Sequence, residues 1–212
     1  MPDLELELAA LADRHTVICG VDEAGRGPWA GPVVAAAVVL GSLTDDPVVI
    51  AMLDDSKKLS AKRREELFGI ISSAASVGVG VVEAGEIDRV NILEATFRAM
   101  RRAVTALNPL PDFALVDGNR CPTLPCASQS VIRGDSVSAS IAAASIIAKV
   151  TRDRIMADLA AAYPGYGWER NAGYGTAEHS AALAKLGVTP YHRTSFKPVR
   201  SIVEQGSATS IS

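Results

Sequence analysis

Paired cysteines, aromatic rings and long apolar runs are all scarce in this chain, and their scarcity narrows the class of protein it can be. Cys19, Cys121 and Cys126 are odd in number. No second pair exists to complete a zinc site, so reduced thiols in a cytosolic protein are expected. The longest uncharged run, 27–44, carries Pro28, Pro32 and three glycines. Its apolar part, 33–40, has the length of a strand and falls short of the ~20 residues a membrane helix needs. The acidic start, Met1-Pro2-Asp3-Leu4-Glu5, lacks the positive n-region of a secretory signal. Aromatics make up only 5% of the 212 residues; alanine and valine dominate, which suits helices packed closely on a sheet.

What is present is enough for one core. At 212 residues, 48% hydrophobic and 21% charged, the chain excludes wholesale disorder and reads as a single domain. The net charge of −3 is unevenly spread. Residues 1–56 hold two basic and ten acidic side chains, leaving nineteen basic and fourteen acidic for the remainder. Acids therefore crowd one end of the chain, and bases lie where they could track phosphates.

The organising stretch is Val17-Ile18-Cys19-Gly20-Val21-Asp22-Glu23-Ala24-Gly25-Arg26-Gly27-Pro28. An apolar strand ends in two carboxylates and hands over to glycines. The strand holds the acids rigidly, and the glycines let backbone amides approach something bulky and anionic. Further strands are predicted over 33–40, 77–82, 113–116 and 126–132. Helices are predicted over 61–74, capped by Ser60, over 86–107, from Ser136 onward through a run of small residues, and over 176–186, stopped by Gly187. The pattern is α/β with a mixed sheet. The Ser/Gly/Thr-rich tail after Val203 is expected to be disordered.

Four acids sit where chemistry could use them: Asp22 and Glu23 at the end of the first strand, Asp117 at the end of the fourth, and Asp135 at the entry to the small-residue helix. Carboxylates gathered this way resist ionising without a cation, and an all-oxygen set favours Mg²⁺ or Mn²⁺. Two such ions would clamp the attacking water and the leaving oxygen of a phosphodiester. Each acid also has a plainer reading: a solvated strand end for Asp22-Glu23, a turn for Asp117-Gly118, a helix cap for Asp135. The glycine stretch misses the G-x-G-x-x-G spacing of a dinucleotide loop, and Pro28 and Pro32 spoil the helix such a loop opens. Tyr174, between two glycines, is either a core ring or one stacked on a sugar or base. His179 and His192 read as structural or surface residues, and Lys57-Lys58 and His192-Arg193 as solvated charge or phosphate contacts.

In its motifs the chain resembles ribonuclease HII, the type 2 ribonuclease H family. The matching pieces are Asp22 to Pro28, Asp55-Ser56-Lys57-Lys58-Leu59, Val116-Asp117-Gly118, Gly134-Asp135 with Ser140 to Val150 and Arg152-Asp153, Gly173-Tyr174-Gly175-Thr176, and His192-Arg193-Thr194-Ser195-Phe196. The resemblance implies a ribonuclease H-like fold, a five-stranded mixed sheet flanked by helices. A single catalytic domain would span 1–212, with 164–203 a helical substrate-binding extension and 204–212 a disordered tail. It implies endonucleolytic cleavage of RNA in RNA/DNA hybrids and at single ribonucleotides in duplex DNA, leaving 5′-phosphate and 3′-OH. It places metal-binding catalytic carboxylates on Asp22, Glu23, Asp117 and Asp135, and 2′-OH recognition on Gly25, Arg26 and Gly27. Tyr174 becomes the sugar contact, Mn²⁺ or Mg²⁺ the cofactor in a two-ion site, and a cytoplasmic monomer the working form. Trp29 is bulkier than the motif leads one to expect. The rival reading is a non-catalytic binder of hybrid or junction nucleic acid on the same fold.

Overall fold

The computed structural model describes residues 1–209. Helix α1 (Glu5–Ala12) opens the chain, and strands β1 (Ile18–Ala24) and β2 (Val33–Val39) follow. Asp46 then caps a short helix, α2 (Pro47–Met52). Helix α3 (Ala61–Ala74) occupies its expected span, with Ser60 Oγ accepting the Arg63 amide at 3.2 Å, and β3 (Ser76–Val82) comes next.

The helix expected over 86–107 is in fact two, α4 (Ala84–Val90) and α5 (Ile92–Thr105). Asn91 divides them: its φ of 72° breaks the helical path, and its Oδ1 accepts the Leu93 and Glu94 amides at 3.0 and 3.1 Å. Asparagine tolerates the left-handed region and caps well, so one residue ends a helix and starts another. Strands β4 (Phe113–Asp117) and β5 (Ala127–Val131) lead to a 3-10 turn, Gly134–Ser136, and then to the long α6 (Ala139–Ala162). The cap of α6 is Ser138, whose Oγ accepts the Ile141 amide, so the cap reading of Asp135 is corrected.

Beyond α6 lie α7 (Trp168–Asn171) and α8 (Ala177–Leu186), the latter capped by Thr176 and ended by Gly187 at φ 76°. A further helix, α9 (Lys197–Thr209), follows and runs into the stretch expected as a disordered tail from 204; residues 210–212 lie outside the described residues.

The sheet runs β3-β2-β1-β4-β5. β1–β2 and β2–β3 are antiparallel, β1–β4 and β4–β5 parallel. This is the mixed sheet expected, in a ribonuclease H-like arrangement. One face packs on α2, α3 and α6, the other on α4 and α5. The small residues of α6 let it lie almost on β1: a Cβ added to Gly20 would sit 2.1 Å from the Ser140 carbonyl carbon. Glu7 of α1 staples the start of α6, its Oε1 accepting from Ser138 Oγ (2.6 Å), Ser140 N (2.9 Å) and Ser140 Oγ (2.6 Å). A third core, with Ala30, Met156, Trp168 and Leu183 at its centre, binds the C-terminal helices to the loop after β1.

Candidate active site

Parallel pairing decides where the acids meet. β1 and β4 are in register as far as Val21 opposite Val116. One residue further, Asp22 and Asp117 leave the same edge of the sheet side by side. Asp22 pairs with Ala36, which faces α6, while Glu23 pairs with Ala35 on the opposite face, so the two carboxylates straddle the strand end. Asp117 Oδ1 accepts the Gly134 amide at 2.6 Å, which pins the 3-10 turn and brings Asp135 to the same rim. All four acids singled out from the sequence are thus brought together. Asp55, which the sequence did not single out, sits against Asp135.

The cluster is electrostatically tense. Asp22 is 4% exposed. Burial first, then the charges of Glu23 and Asp117, raise its carboxyl well above the usual range. Burial also raises Glu23, with Asp117 adding and Arg26, 3.3 Å away, opposing. Burial, then Asp55 and Asp117, raise Asp135. Partial desolvation pulls the Lys57 ammonium down, and Asp55, Asp22, Asp135 and Asp117 pull it up further than that.

Oxygen-only donors that repel one another suit a hard divalent cation. Among the described residues no three acidic, histidine or cysteine side chains converge closely enough to cage an ion on their own. Mg²⁺ takes one or two carboxylates and completes its shell with water and phosphate oxygens.

Next to the rim lies a groove of about 240 Å³, lined by Glu23, Arg26, Lys57, Lys149, Arg152 and Tyr174 together with Gly25 and Gly27. Tyr174 is half exposed, and its ring lies 3.5 Å from where a Gly27 Cβ would stand. Gly25 adopts φ +94°, and a Cβ there would strike the Arg152 side chain at 2.0 Å. The Gly25–Gly27 turn is therefore closed to larger residues at Gly25 on two counts.

The floor of this turn corrects a sequence expectation. His192 and Arg193 are not solvated charge: they are 2% and 0% exposed. Arg193 donates only to backbone carbonyls, those of Gly25 (2.6 Å), Arg26 (3.0 Å), Gly31 (3.0 Å) and Pro32 (3.1 Å). Arg152 of α6 does the same for Pro32, Ala172 and Ala30. Peptide units are planar and trans, so a carbonyl turned inward sends the next residue's N–H outward. With the Gly25 and Arg26 carbonyls drawn onto Arg193, the N–H groups of Arg26 and Gly27 point away from it.

The Arg193 segment is itself anchored by Asp88 of α4, which accepts from the amides and hydroxyls of Thr194 and Ser195 at 2.6–2.9 Å. Burial raises Asp88, and those four bonds outweigh it and hold the carboxyl below its usual range. Nothing in the local pattern of these residues distinguishes a carbonyl-binding arginine from a surface one. The two adjacent lysines of the same expectation do stay in the open, Lys57 at 76% side-chain exposure and Lys58 at 53%.

An acid rim on a five-stranded mixed sheet, with α6 across it, defines a ribonuclease H-like protein. A family model described as Ribonuclease HII matches residues 19–199. The chain is 60% identical over 209 residues to ribonuclease HII of Rhodospirillum rubrum, covering 98% of this chain and 94% of that one. It is 58% identical to ribonuclease HII of Ruegeria pomeroyi, covering 96% and 86%. The chain belongs to the ribonuclease HII family and is an endoribonuclease of the ribonuclease H type.

Among solved structures, ribonuclease H2 of Pyrococcus horikoshii superposes with a TM-score of 0.70 at 28% identity, covering 90% of this chain and 98% of that one. Ribonuclease HII of Archaeoglobus fulgidus, solved in complex with PCNA, gives 0.69 at 26% identity, covering 86% and 96%. A ribonuclease HIII solved with Mn²⁺ gives 0.70 at 21% identity, a likeness of fold, covering 91% and 70%.

Proposed function

We propose that this chain cleaves RNA within RNA/DNA hybrids and at single ribonucleotides embedded in duplex DNA, leaving a 5′-phosphate and a 3′-OH. It would work in the cytoplasm, as a monomer. The observation that carries the reading is the meeting of Asp22, Glu23, Asp117 and Asp135 beside a groove whose wall is Gly25–Gly27 and Tyr174. A pure binder gains nothing from a cluster of anions facing phosphates, which argues against the non-catalytic alternative.

Asp22, Glu23, Asp117 and Asp135 would hold Mn²⁺ or Mg²⁺, which when bound supplies Lewis acidity at the phosphate and a water of lowered pKa. The protein's own part is positioning. β1 and β4 fix the acids at one edge, so little reorganisation is left for the reaction. The outward N–H groups of Arg26 and Gly27 offer donors to a ribose 2′-OH, the group that separates RNA from DNA. A site whose polar groups are left unpaired by a deoxyribose discriminates by roughly 10⁴–10⁵-fold. Tyr174 closes the groove over the adjoining sugar, and Lys57 and Lys149 lie where they meet phosphates.

The test is a duplex DNA carrying one ribonucleotide, incubated with the protein and Mn²⁺ or Mg²⁺. Cleavage that EDTA abolishes, and that an all-deoxy duplex does not support, is expected. Tight binding without cleavage would favour the binder.

A further inference from the structure

Beneath Tyr174 two buried histidines touch: His179 Nε2 and His192 Nε2 are 3.1 Å apart. His179 and His192 are 0% and 2% exposed, and the proposed chemistry uses neither. Their partners fix where each proton sits. His192 Nδ1 receives the Thr189 backbone N–H at 2.9 Å, and a backbone amide can only donate, so that nitrogen is bare and the Thr189 hydroxyl, also 2.9 Å away, turns its proton toward it. The proton of His192 is then on Nε2 and points at His179. His179 Nε2 must accept it, and it also takes the Trp168 indole N–H at 3.1 Å. The proton of His179 is left on Nδ1, 2.9 Å from the backbone carbonyl oxygen of Tyr174.

We propose that this ordered pair, resting on the functional reading above, is a positioning device that sets the ring of Tyr174 against the Gly25–Gly27 turn. The chain of donors runs one way, from Thr189 through both imidazoles to the Tyr174 carbonyl. That carbonyl also takes the Thr176 amide at 2.9 Å, so the peptide after Tyr174 is held from two sides. The Gly173 carbonyl accepts the amides of Trp29 and Ala30 at 2.8 and 3.3 Å, which ties the same peptide segment to the loop after β1. Trp29, bulky for its place in the motif, packs with its ring 5.7 Å from that of His179. With its main chain fixed at both ends and between glycines, Tyr174 has little freedom but at its own side-chain torsions.

The pair works only while neutral. A proton added at His192 Nδ1 would face the Thr189 N–H and have the Thr189 hydroxyl alone to accept it, and one added at His179 Nε2 would face both the His192 and Trp168 N–H groups. Burial, then His179, lowers His192 to about 4, and burial lowers His179. The charged group beside His179 is Glu178, which is paired with Arg170. Tyr166, whose ring lies 5.0 Å from that of His192, sends its hydroxyl to the Gly187 carbonyl.

The first test is the imidazole ¹⁵N spectrum of the wild-type protein between pH 5.5 and 8. Two neutral rings are expected, His179 in the Nδ1–H tautomer and His192 in the Nε2–H tautomer. The reverse order, or a protonated ring at pH 6, overturns the proposal. The second test compares His179→Leu with His179→Asn, whose amide can still donate to the Tyr174 carbonyl. Leu should lower kcat/KM at a single embedded ribonucleotide at least tenfold, with KM on continuous hybrid within threefold. Asn should recover that loss to within threefold.

Tyr174 ring proton shifts, moved by Leu and restored by Asn, report the positioning without any activity. Unmoved shifts in both variants overturn it. A wild-type protein that cleaves nothing would defeat the nuclease reading alone, and the tautomers and ring shifts would still decide the pair.

Discussion

Asp22 concentrates the conflict at the residue scale, since its carboxyl is buried and lies beside the carboxyls of Glu23 and Asp117. On the proposed assignment Asp22→Asn removes a ligand and a repulsion together. Its Oδ1 can still accept the Glu23 amide, now 2.6 Å away. Without divalent metal the variant should melt at or above the wild-type temperature, while cleavage falls at least about 10²-fold, a loss of several kcal/mol of transition-state stabilisation. Near-normal turnover would remove Asp22 from the metal site. His192 makes the opposite trade. The unfolded chain protonates it near pH 6.5, and the folded protein holds the proton off until about 4. Between those values the unfolded state binds more protons, so the contribution of His192 to stability is full above 6.5 and is lost as pH falls. The unfolding free energy of wild type relative to His192→Gln should therefore fall by up to about 1.4 kcal/mol per pH unit between 6.5 and 4.5. A flat difference in urea titrations would show that the imidazole is not kept neutral by the fold.

At the scale of elements, α6 on β1 is the contact with least tolerance. A methyl at Gly20 would meet the backbone of Ser140 and Ile141 at 2.1 and 2.2 Å, and backbone cannot rotate aside. Gly20→Ala should cost about 3 kcal/mol and lower the melting temperature by roughly 6–12 °C. Gly69, exposed on α3 with nothing within 4 Å of a would-be Cβ, is the control. There alanine should stabilise by about 0.5–1 kcal/mol through helix propensity alone. Equal effects at the two glycines would mean that α6 does not press against Gly20 of β1. Elements of this kind were legible in the sequence because their periodicity is local: the apolar runs of β1 and β2, the stripe of α5, the small-residue face of α6. The break at Asn91 was hidden, since the stripe continues across it and only a positive φ interrupts the chain. Helix α1 was missed because its leucines and alanines show no polar stripe to mark a face. Its one anchoring group, Glu7, reads as surface charge until Ser138 and Ser140 are placed beside it.

At the scale of the whole molecule, two halves carry different parts of the proposed site. The sheet and the 3-10 turn after it carry the acids, and the loop between α7 and α8 carries Tyr174. The acids could be read from sequence because a carboxylate at a strand end stands out against apolar neighbours. The joint between the halves could not, because two arginines among ordinary surface charges give no sign that carbonyls, rather than water, will receive them. Arg193 and Arg152 are that joint, both almost wholly buried. Burial, then Arg152, depresses the proton affinity of Arg193. What holds the charge is the ring of carbonyls from Gly25, Arg26, Gly31 and Pro32, a planar fork meeting acceptors on several sides. Arg193→Met keeps much of the apolar stem but orphans the carbonyls of Gly25, Arg26 and Gly31, that of Pro32 still accepting from Arg152, at about 1–3 kcal/mol for each left unsatisfied. A loss of roughly 3–5 kcal/mol overall is expected, given partial relaxation. Arg193→Lys should recover little of it, since a compact ammonium cannot reach acceptors spread around a fork. The two variants, compared by denaturant unfolding and by cleavage of the one-ribonucleotide duplex, should lose stability together. Both should lose discrimination between ribose and deoxyribose, because the Arg26 and Gly27 amides are no longer aimed. A lysine variant with wild-type stability and selectivity would show that the charge, and not the fork, joins the two halves.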